Sequence, residues 1–230
     1  GLMAKKKRIR RTHSVSRELL LKSREAALAA VQIFNSPMLT FKSEIYIVLM
    51  NIAWTYLPHS YYRNEKVEYR YYTKQGNRRR FDKTKNGADK HWELERCLND
   101  QKSPIDKDAA NNLRFLIGIR HEIEHQMTGR LDSTLSAKFQ ACCLNYNEYV
   151  KKLFGERHGI DKYLAFSLQF SSISQDQAKQ LPSPAEMPAY IDAFITDFEE
   201  TLSDEEFNSP RFPYRVLFVP KTANRKGRTD

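Results

Sequence analysis

The chain has 230 residues, with 38 Lys and Arg against 28 Asp and Glu and a formal net charge of +10. A chain of this length holds one domain, or one domain with a small appended unit. Its most apolar run, residues 45–50, is too short to span a bilayer, and three cysteines give no even disulfide framework. These features predict a cytoplasmic protein with reduced thiols and no membrane partner.

The positive charge is concentrated in three segments. Residues 1–24 carry nine Lys and Arg against one acidic residue, residues 63–90 carry ten against four, and residues 211–230 carry six against one. Segregated positive charge is typical of proteins that bind polyanions. We therefore expect a nucleic-acid partner, with residues 1–13 forming a basic disordered arm.

Apolar residues recur with helical spacing over most of the chain. The predicted helices lie at about 14–34, 39–62, 88–99, 106–127 and 133–154. Pro58 is expected to kink the second helix or end it early. Gly155 is expected to stop the fifth helix.

The pattern changes after residue 158. Alternation at 164–171, a helix after Pro184 and a strand at 214–219 predict a strand-helix-strand unit. The apolar face of that helix consists of Met187, Tyr190, Ile191, Phe194, Ile195, Phe198 and Leu202. The predicted fold class is mainly α: a helical bundle at 14–158 with an insertion at 63–90, an α/β appendage at 159–220 and a polar tail at 221–230.

The insertion at 63–90 is rich in tyrosine and arginine. Alternation at 67–73, a turn signal at 75–77 and a returning segment at 78–81 predict a basic β-hairpin or ordered loop. Aromatic rings stack on the bases of a single strand while cations hold its phosphates. The predicted RNA-binding residues are Arg70, Tyr71, Tyr72, Lys74, Arg78, Arg79 and Arg80. The alternative is a solvated loop whose tyrosines cover the bundle.

The predicted helix at 106–127 carries the residues best suited to chemistry. On a helical wheel Arg120 falls within an apolar stripe, where an unpaired guanidinium is costly. Gly118 leaves bare backbone one row from His121 and His125. Two imidazoles, an arginine and an open patch of backbone suit an anionic substrate.

The same residues also fit two other interpretations. His121, Glu122 and His125 have the H-E-x-x-H spacing of zinc hydrolases, which need a third ligand, and Glu148 is the candidate. Alternatively, Arg120 and Glu124 form an ordinary i,i+4 ion pair and the histidines are surface residues.

Arg120 and His125, with His121 after the arginine, resemble the R-x-x-x-x-H motif of the HEPN superfamily (higher eukaryotes and prokaryotes nucleotide-binding domains). From about 15 to 220 the chain also resembles a bacterial family of unknown function that carries this motif. The stretches concerned are 16–20, 41–45 and 217–221. The resemblance implies a HEPN-like helical bundle that dimerises. Many members of the superfamily are ribonucleases that need no metal or cofactor, so the resemblance also implies that activity.

By that resemblance the chain is an endoribonuclease that cleaves RNA as a homodimer, in bacterial defence or as a toxin. An antitoxin or a defence protein would be a further partner. His125 would be the general acid/base, Arg120 would hold the phosphate, and His121 would donate a second hydrogen bond or orient the site. Glu124 would position Arg120, and Gly118 would admit a second motif helix. A HEPN-like module that binds RNA or protein without turnover is the second hypothesis.

Overall fold

The computed structural model describes residues 12–36, 38–39, 41–124, 130–164 and 188–213, with all their side chains except those of 12–14 and 130–134. These ranges contain eight α-helices and one pair of antiparallel strands, which confirms a mainly helical fold with a small hairpin. The helices are α1 (Thr12–Asn35), α2 (Lys42–Asn64), α3 (Leu94–Asn99), α4 (Lys107–Ile123), α5 (Arg130–Phe154), α6 (Asp161–Leu164), α7 (Ala189–Glu200) and α8 (Asp204–Asn208). The strands are β1 (Tyr72–Gln75) and β2 (Arg78–Phe81), and a 3-10 helix lies at Glu156–His158. No helix within the described ranges is long and apolar enough to cross a membrane.

Helices α1 and α2 run antiparallel and are joined by buried hydroxyl groups. The Ser23 hydroxyl donates to the carbonyl of Ala53 at 2.6 Å and lies 2.7 Å from the Tyr146 hydroxyl on α5. Toward the other end of the pair, the Ser16 and Ser60 hydroxyls are 3.0 Å apart. These bonds satisfy polar groups that would be costly to bury unpaired, and they fix the alignment of the two helices.

Pro58 lies inside α2, which continues to Asn64, so the proline does not end the helix. A proline in a helix interior costs about 3 kcal/mol. The neighbouring Leu57 and Tyr62 side chains are fully buried, and such burial contributes roughly 1.5–3 kcal/mol per large apolar side chain. Packing on both sides of the proline therefore outweighs the break that the local sequence favours.

Helix α4 lies against α2, α5 and α7, and Asp106 caps its first turn. The Asp106 carboxylate accepts a hydrogen bond from the backbone N–H of Ala109 at 2.9 Å. The helix ends at Ile123, four residues before the predicted end at Met127. Helix α5 ends at Phe154, where Gly155 has a φ of 103°, so the predicted glycine stop is confirmed.

Helix α7 packs on α4 through aromatic rings. Phe115 of α4 lies 5.7 Å from Phe194, 5.3 Å from Phe198 and 5.9 Å from Phe212, measured between ring centroids. Ile191 is fully buried, which agrees with the predicted apolar face, whereas Tyr190 is 44% exposed and does not belong to it. The helix of the predicted appendage thus contributes to the same core as the bundle.

Some predicted segments differ from the observed ones or lie outside the described residues. Thr12 and His13 begin α1 instead of ending a basic arm, and residues 1–11 are outside. Leu164 ends α6 and is not part of a strand, and the rest of the predicted strand (165–171) and the last strand (214–219) are outside. Residues 88–93 are not helical, because they form isolated bridges that join His91 to Arg70 and Asp89 to Lys83.

Candidate nucleic-acid site

The first half of the predicted motif lies at the C-terminal end of α4. Ile119 and Ile123 are buried, at 0% and 3% exposure, and they leave Arg120 and His121 exposed. The apolar stripe therefore passes beside Arg120 and does not enclose it. In the described part of the chain, the ion pairs do not include one between Arg120 and Glu124. The Arg120 guanidinium is thus open to an anion from outside.

Arg114, on the same helix, is in a different position. Its Nε lies 3.2 Å from a carboxylate oxygen of Glu95, and its guanidinium donates to the side-chain oxygen of Asn99 at 2.8 Å. Both partners belong to α3, so Arg114 ties α3 to α4. This makes Arg114 a structural arginine and a natural comparison for Arg120.

Gly118 does not face open space. A Cβ atom placed on Gly118 would lie 2.5 Å from Cζ and 2.8 Å from Cε2 of Phe194. The ring of Phe194, on α7, therefore occupies the space that the missing side chain leaves. A second motif helix or a substrate does not have access to this patch of backbone while Phe194 is in place.

His125 and the four residues after it lie outside the described residues, so its position relative to Arg120 is not defined. Helix α4 ends before it, so the helical wheel does not describe the angle between the two side chains.

Glu148, the candidate third zinc ligand, is too far from His121 to bind the same ion. It forms an ion pair with Arg211 at 2.5 Å. Arg211 also pairs with Asp106, which caps the opposite end of α4, roughly 22 Å from His121 along the helix axis. Glu148 therefore cannot share a metal ion with His121.

The hairpin separates the predicted RNA-binding residues onto two faces. The register pairs Tyr72 with Phe81, Thr73 with Arg80, Lys74 with Arg79 and Gln75 with Arg78. Because side chains alternate along a strand, Tyr72, Lys74 and Arg79 share one face, while Arg78 and Arg80 share the other. Tyr71 precedes β1, and its backbone N–H donates to the Lys90 carbonyl at 2.9 Å.

The face with Tyr72 and Arg79 borders a cleft of about 690 Å³ between the hairpin, the C-terminal end of α2 and α3. We call it the hairpin cleft. Its basic lining residues are Arg63, Lys66, Arg70, Arg79, Arg96 and Lys102. The carboxylates in its wall are Glu68 and Asp100. Six basic side chains against two acidic ones give this concave surface a strongly positive potential.

Three of the six cations are paired with carboxylates within the fold, because Arg79 also lies 4.0 Å from a carboxylate oxygen of Glu68. Arg70 donates to both oxygens of Glu68, at 2.7 and 2.8 Å, and to Asp89 at 3.0 Å, and it lies 3.8 Å from the Phe81 ring centroid. The hydrogen bonds from Arg70 hold the pKa of Glu68 below its usual value. Arg96 pairs with Asp100 at 3.3 Å. Arg70, predicted to bind RNA, therefore has a structural role in the hairpin.

Four basic residues of the hairpin cleft are exposed to solvent, including the ion-paired Arg79. Arg63 and Lys66 lie at the C-terminal end of α2, Lys102 follows α3, and Arg79 lies 4.9 Å from the Tyr72 ring centroid. Sequence reasoning named Arg79 but missed Arg63, Lys66 and Lys102. The charge count for residues 63–90 included the first two, whereas nothing local to Lys102 indicates that it borders the cleft.

A pair of histidines forms part of the support under the cleft. His59 Nε2 lies 2.7 Å from the carbonyl oxygen of Trp92. Burial lowers the pKa of His59 to about 4, so the ring is neutral and its N–H donates to that carbonyl. The rings of His59 and His91 are both within 5.1 Å of the Tyr69 ring, measured between centroids. Neither histidine was singled out in the sequence, because each is an isolated residue there.

One family model matches this chain over residues 18–202, and its description is Domain of unknown function (DUF3644). The matched span includes the motif end of α4, the hairpin and every residue that lines the hairpin cleft. Comparisons with curated proteins and with solved structures found no match.

Proposed function

We propose that this chain, which belongs to the family described as Domain of unknown function (DUF3644), is a HEPN-like endoribonuclease that cuts single-stranded RNA without a metal ion. The observation that carries the proposal is the exposure of Arg120 beside His121 at the end of α4. Arg120 has no carboxylate partner among the described residues, so its charge is available to a phosphate group. The hairpin cleft supplies a second positive surface for the same RNA.

The proposed reaction is attack by the ribose 2′-hydroxyl on the adjacent phosphate. A base removes the hydroxyl proton, the oxygen bonds to phosphorus, and the bond from phosphorus to the 5′-oxygen of the next nucleotide breaks. That oxygen takes up a proton, which leaves a 2′,3′-cyclic phosphate and a 5′-hydroxyl. His125 would transfer protons, a role that contributes about 10²–10⁴ in rate. Arg120 would stabilise the charge that develops on the non-bridging oxygens, with His121 as a second donor.

The test is incubation of the full chain with a labelled single-stranded RNA and with the same sequence in all-2′-deoxy form. We expect the RNA to be cut to products that end in a cyclic phosphate or a phosphate, and we expect the DNA to stay intact. Addition of a chelator should not change the rate. Equal cleavage of the 2′-deoxy strand would contradict attack by the 2′-hydroxyl.

Two arginines of α4 form a matched pair of variants for this test. Arg120→Ala should lower the cleavage rate by about 10²–10³. Because Arg120 is exposed, its loss should change the free energy of unfolding by less than about 0.5 kcal/mol. Arg114→Ala should retain cleavage, since that side chain is bound to α3. A similar loss of rate in both variants would point to general destabilisation instead of a site at Arg120.

A binding module without turnover is the second candidate. It is favoured by the hairpin cleft, whose excess positive charge is independent of the motif end of α4. In that case wild type and Arg120→Ala would bind RNA equally well and neither would cut it.

A further inference from the structure

We propose that the hairpin cleft is a binding site for a terminal phosphate group, carried by an RNA end or by a free nucleotide. Nothing in the motif at the end of α4 requires such a site. The choice of RNA as the carrier rests on the proposed function, whereas the recognition of phosphate rests on the cleft alone.

The charge of the cleft exceeds what one internal nucleotide of an RNA strand brings. A volume of about 690 Å³ is in the range of sites that hold one small ligand, such as a nucleotide. An internal phosphodiester adds a single negative charge per nucleotide. A terminal phosphate carries roughly 1.5–2 negative charges at neutral pH, and a di- or triphosphate carries more. Six basic side chains against two carboxylates are better matched by the terminal group.

The basic side chains open to a ligand come from separate stretches of the chain that line the cleft. Lys66 at the end of α2 and Lys102 after α3 are exposed, and neither is paired with a carboxylate within the described ranges. Arg63 lies beside the Tyr69 hydroxyl, where it opposes the rise in the pKa of that tyrosine caused by burial. Three cations that line one concavity can donate charge-assisted hydrogen bonds to the oxygens of a phosphate group.

The backbone of Lys66 is strained. Its φ of 55° is in the left-handed region, and no other non-glycine residue in the described ranges has a positive φ. The turn closes where the Val67 N–H donates to the Tyr62 carbonyl at 2.9 Å, a helix end at which glycine is the usual residue. A lysine here costs free energy that glycine would not, and strained residues of this kind cluster at ligand sites. We therefore assign the positively charged side chain of Lys66 to phosphate binding.

The aromatic residues of the cleft favour recognition by charge over base stacking. Tyr62, Tyr69 and Trp92 are buried and form a rigid wall. Tyr72 is half-buried, and the guanidinium of Arg79 already lies over its ring. The open groups are ammonium and guanidinium groups, which bind phosphate oxygens by charge-assisted hydrogen bonds.

The test compares one short RNA with a 5′-hydroxyl, a 5′-monophosphate or a 5′-triphosphate. All its riboses carry 2′-O-methyl groups, so cleavage does not interfere, and binding is followed by fluorescence anisotropy of a 3′ label. We expect the triphosphate RNA to bind about tenfold more tightly than the hydroxyl RNA. Competition with ATP distinguishes the two carriers, because ATP should displace the RNA at similar concentrations only if a free nucleotide is the ligand.

The matched variants are Lys66→Gly and Arg80→Ala, each of which removes one positive charge. Lys66→Gly should abolish the preference for the phosphorylated end, and its melting temperature should stay equal or rise, since glycine suits the left-handed backbone. Arg80 is on the outer face of the hairpin, so Arg80→Ala should keep the preference.

Equal binding of the three RNAs by the wild type would overturn the proposal, as would an equal loss of preference in the two variants. The cleavage assay is separate: a protein that prefers the phosphorylated end without cutting RNA keeps the phosphate site and contradicts the nuclease. A protein that cuts RNA without preferring the phosphorylated end supports the nuclease and contradicts the phosphate site.

Discussion

The ionisation of His59 is coupled to folding. It is buried under the hairpin cleft and bound to the Trp92 carbonyl, and burial lowers its pKa to about 4. In the unfolded chain a histidine has a pKa near 6.5. Between these two values the unfolded chain binds more protons than the folded one. The folded state therefore loses stability as the pH falls from about 6.5 to about 4, by at most about 3 kcal/mol.

We predict that His59→Gln removes this part of the pH dependence. A glutamine amide can donate to the Trp92 carbonyl and does not titrate. The measurement is urea unfolding of both proteins at a series of pH values from 7.5 to 4. Above pH 7 the variant should be less stable, because it lacks the ring that packs against Tyr69. Below pH 6.5 the two curves should converge, and curves that stay parallel throughout would show that His59 does not titrate in this range.

Some features of single residues could be predicted from the sequence and others could not. Gly155 was predictable as a helix stop, because a glycine after a periodic segment has a local meaning. The left-handed backbone of Lys66 was not, since a lysine carries no such signal and its φ is imposed by the turn that ends α2. The structural engagement of Arg70 was equally hidden, because one of its carboxylate partners, Asp89, lies beyond the hairpin.

At the level of elements, the docking of α7 on α4 depends on one close contact. The Phe194 ring fills the space over Gly118 and also packs against Phe115. Alanine at position 118 should stabilise an isolated helix by about 1 kcal/mol. Overpacking against a ring held in a core costs about 1–3 kcal/mol. The two effects have opposite signs, and we expect the cost of overpacking to exceed the gain in helix propensity.

We therefore predict that Gly118→Ala lowers the free energy of unfolding by about 1 kcal/mol. In a Phe194→Leu background the same substitution should be neutral or stabilising, because leucine lacks the ring atoms that a Cβ would meet. A double-mutant cycle measured by urea unfolding gives the coupling between the two sites. Additive effects would mean that Phe194 does not restrict position 118, and the backbone there would again be open to a partner.

The hairpin could be predicted from local sequence, whereas the cleft beside it could not. Alternation and the turn at Gly76 predicted the hairpin, although β1 begins five residues after the predicted start of the strand at Val67. The cleft was not predictable, because it joins the end of α2, the hairpin and α3 across three separate stretches of chain. For the same reason the predicted face of α7 was largely right, while its partner surface on α4 could not be assigned.

At the scale of the whole molecule, hydrogen bonds between helices show which end of the bundle carries the motif. Asn112 of α4 donates to the Lys138 carbonyl of α5 at 3.0 Å, and Tyr46 of α2 donates to the adjacent Phe139 carbonyl at 2.7 Å. Because α4 runs antiparallel to α5, the segment from Asn112 to the end of α4 approaches the same end of the bundle as the start of α2.

That end also carries exposed apolar side chains. Phe41 precedes α2 and Ile45 lies in its first turn, with exposures of 50% and 41%. Both side chains belong to the exposed apolar surface at the start of α2. Arg120 and His121 are exposed at the same end. A second copy of the chain that covers this surface would bring two motif ends together, as the homodimer implied by the HEPN resemblance requires.

We predict that Ile45→Glu dissociates this homodimer and lowers cleavage with it. A glutamate desolvated at a two-fold contact faces its own copy, so both burial and repulsion oppose association. Ile52→Glu is the control, since Ile52 is 39% exposed on the same helix but two turns farther from the motif end. Sedimentation of the three proteins at micromolar concentration measures the change. A wild-type monomer that still cuts RNA would exclude a shared site.

If the chain forms this homodimer, the composition of its sites determines what happens when two inactive proteins are mixed. If each site takes Arg120 from one chain and His125 from the other, a heterodimer of Arg120→Ala and His125→Ala contains one complete site. Because Arg120 is exposed, its loss removes repulsion between the two chains and leaves the dimer intact or tighter. Random exchange makes half of the dimers mixed, so cleavage should return to about a quarter of the wild-type rate. If both residues act within one chain, every mixed dimer lacks a complete site, and the mixture should stay inactive.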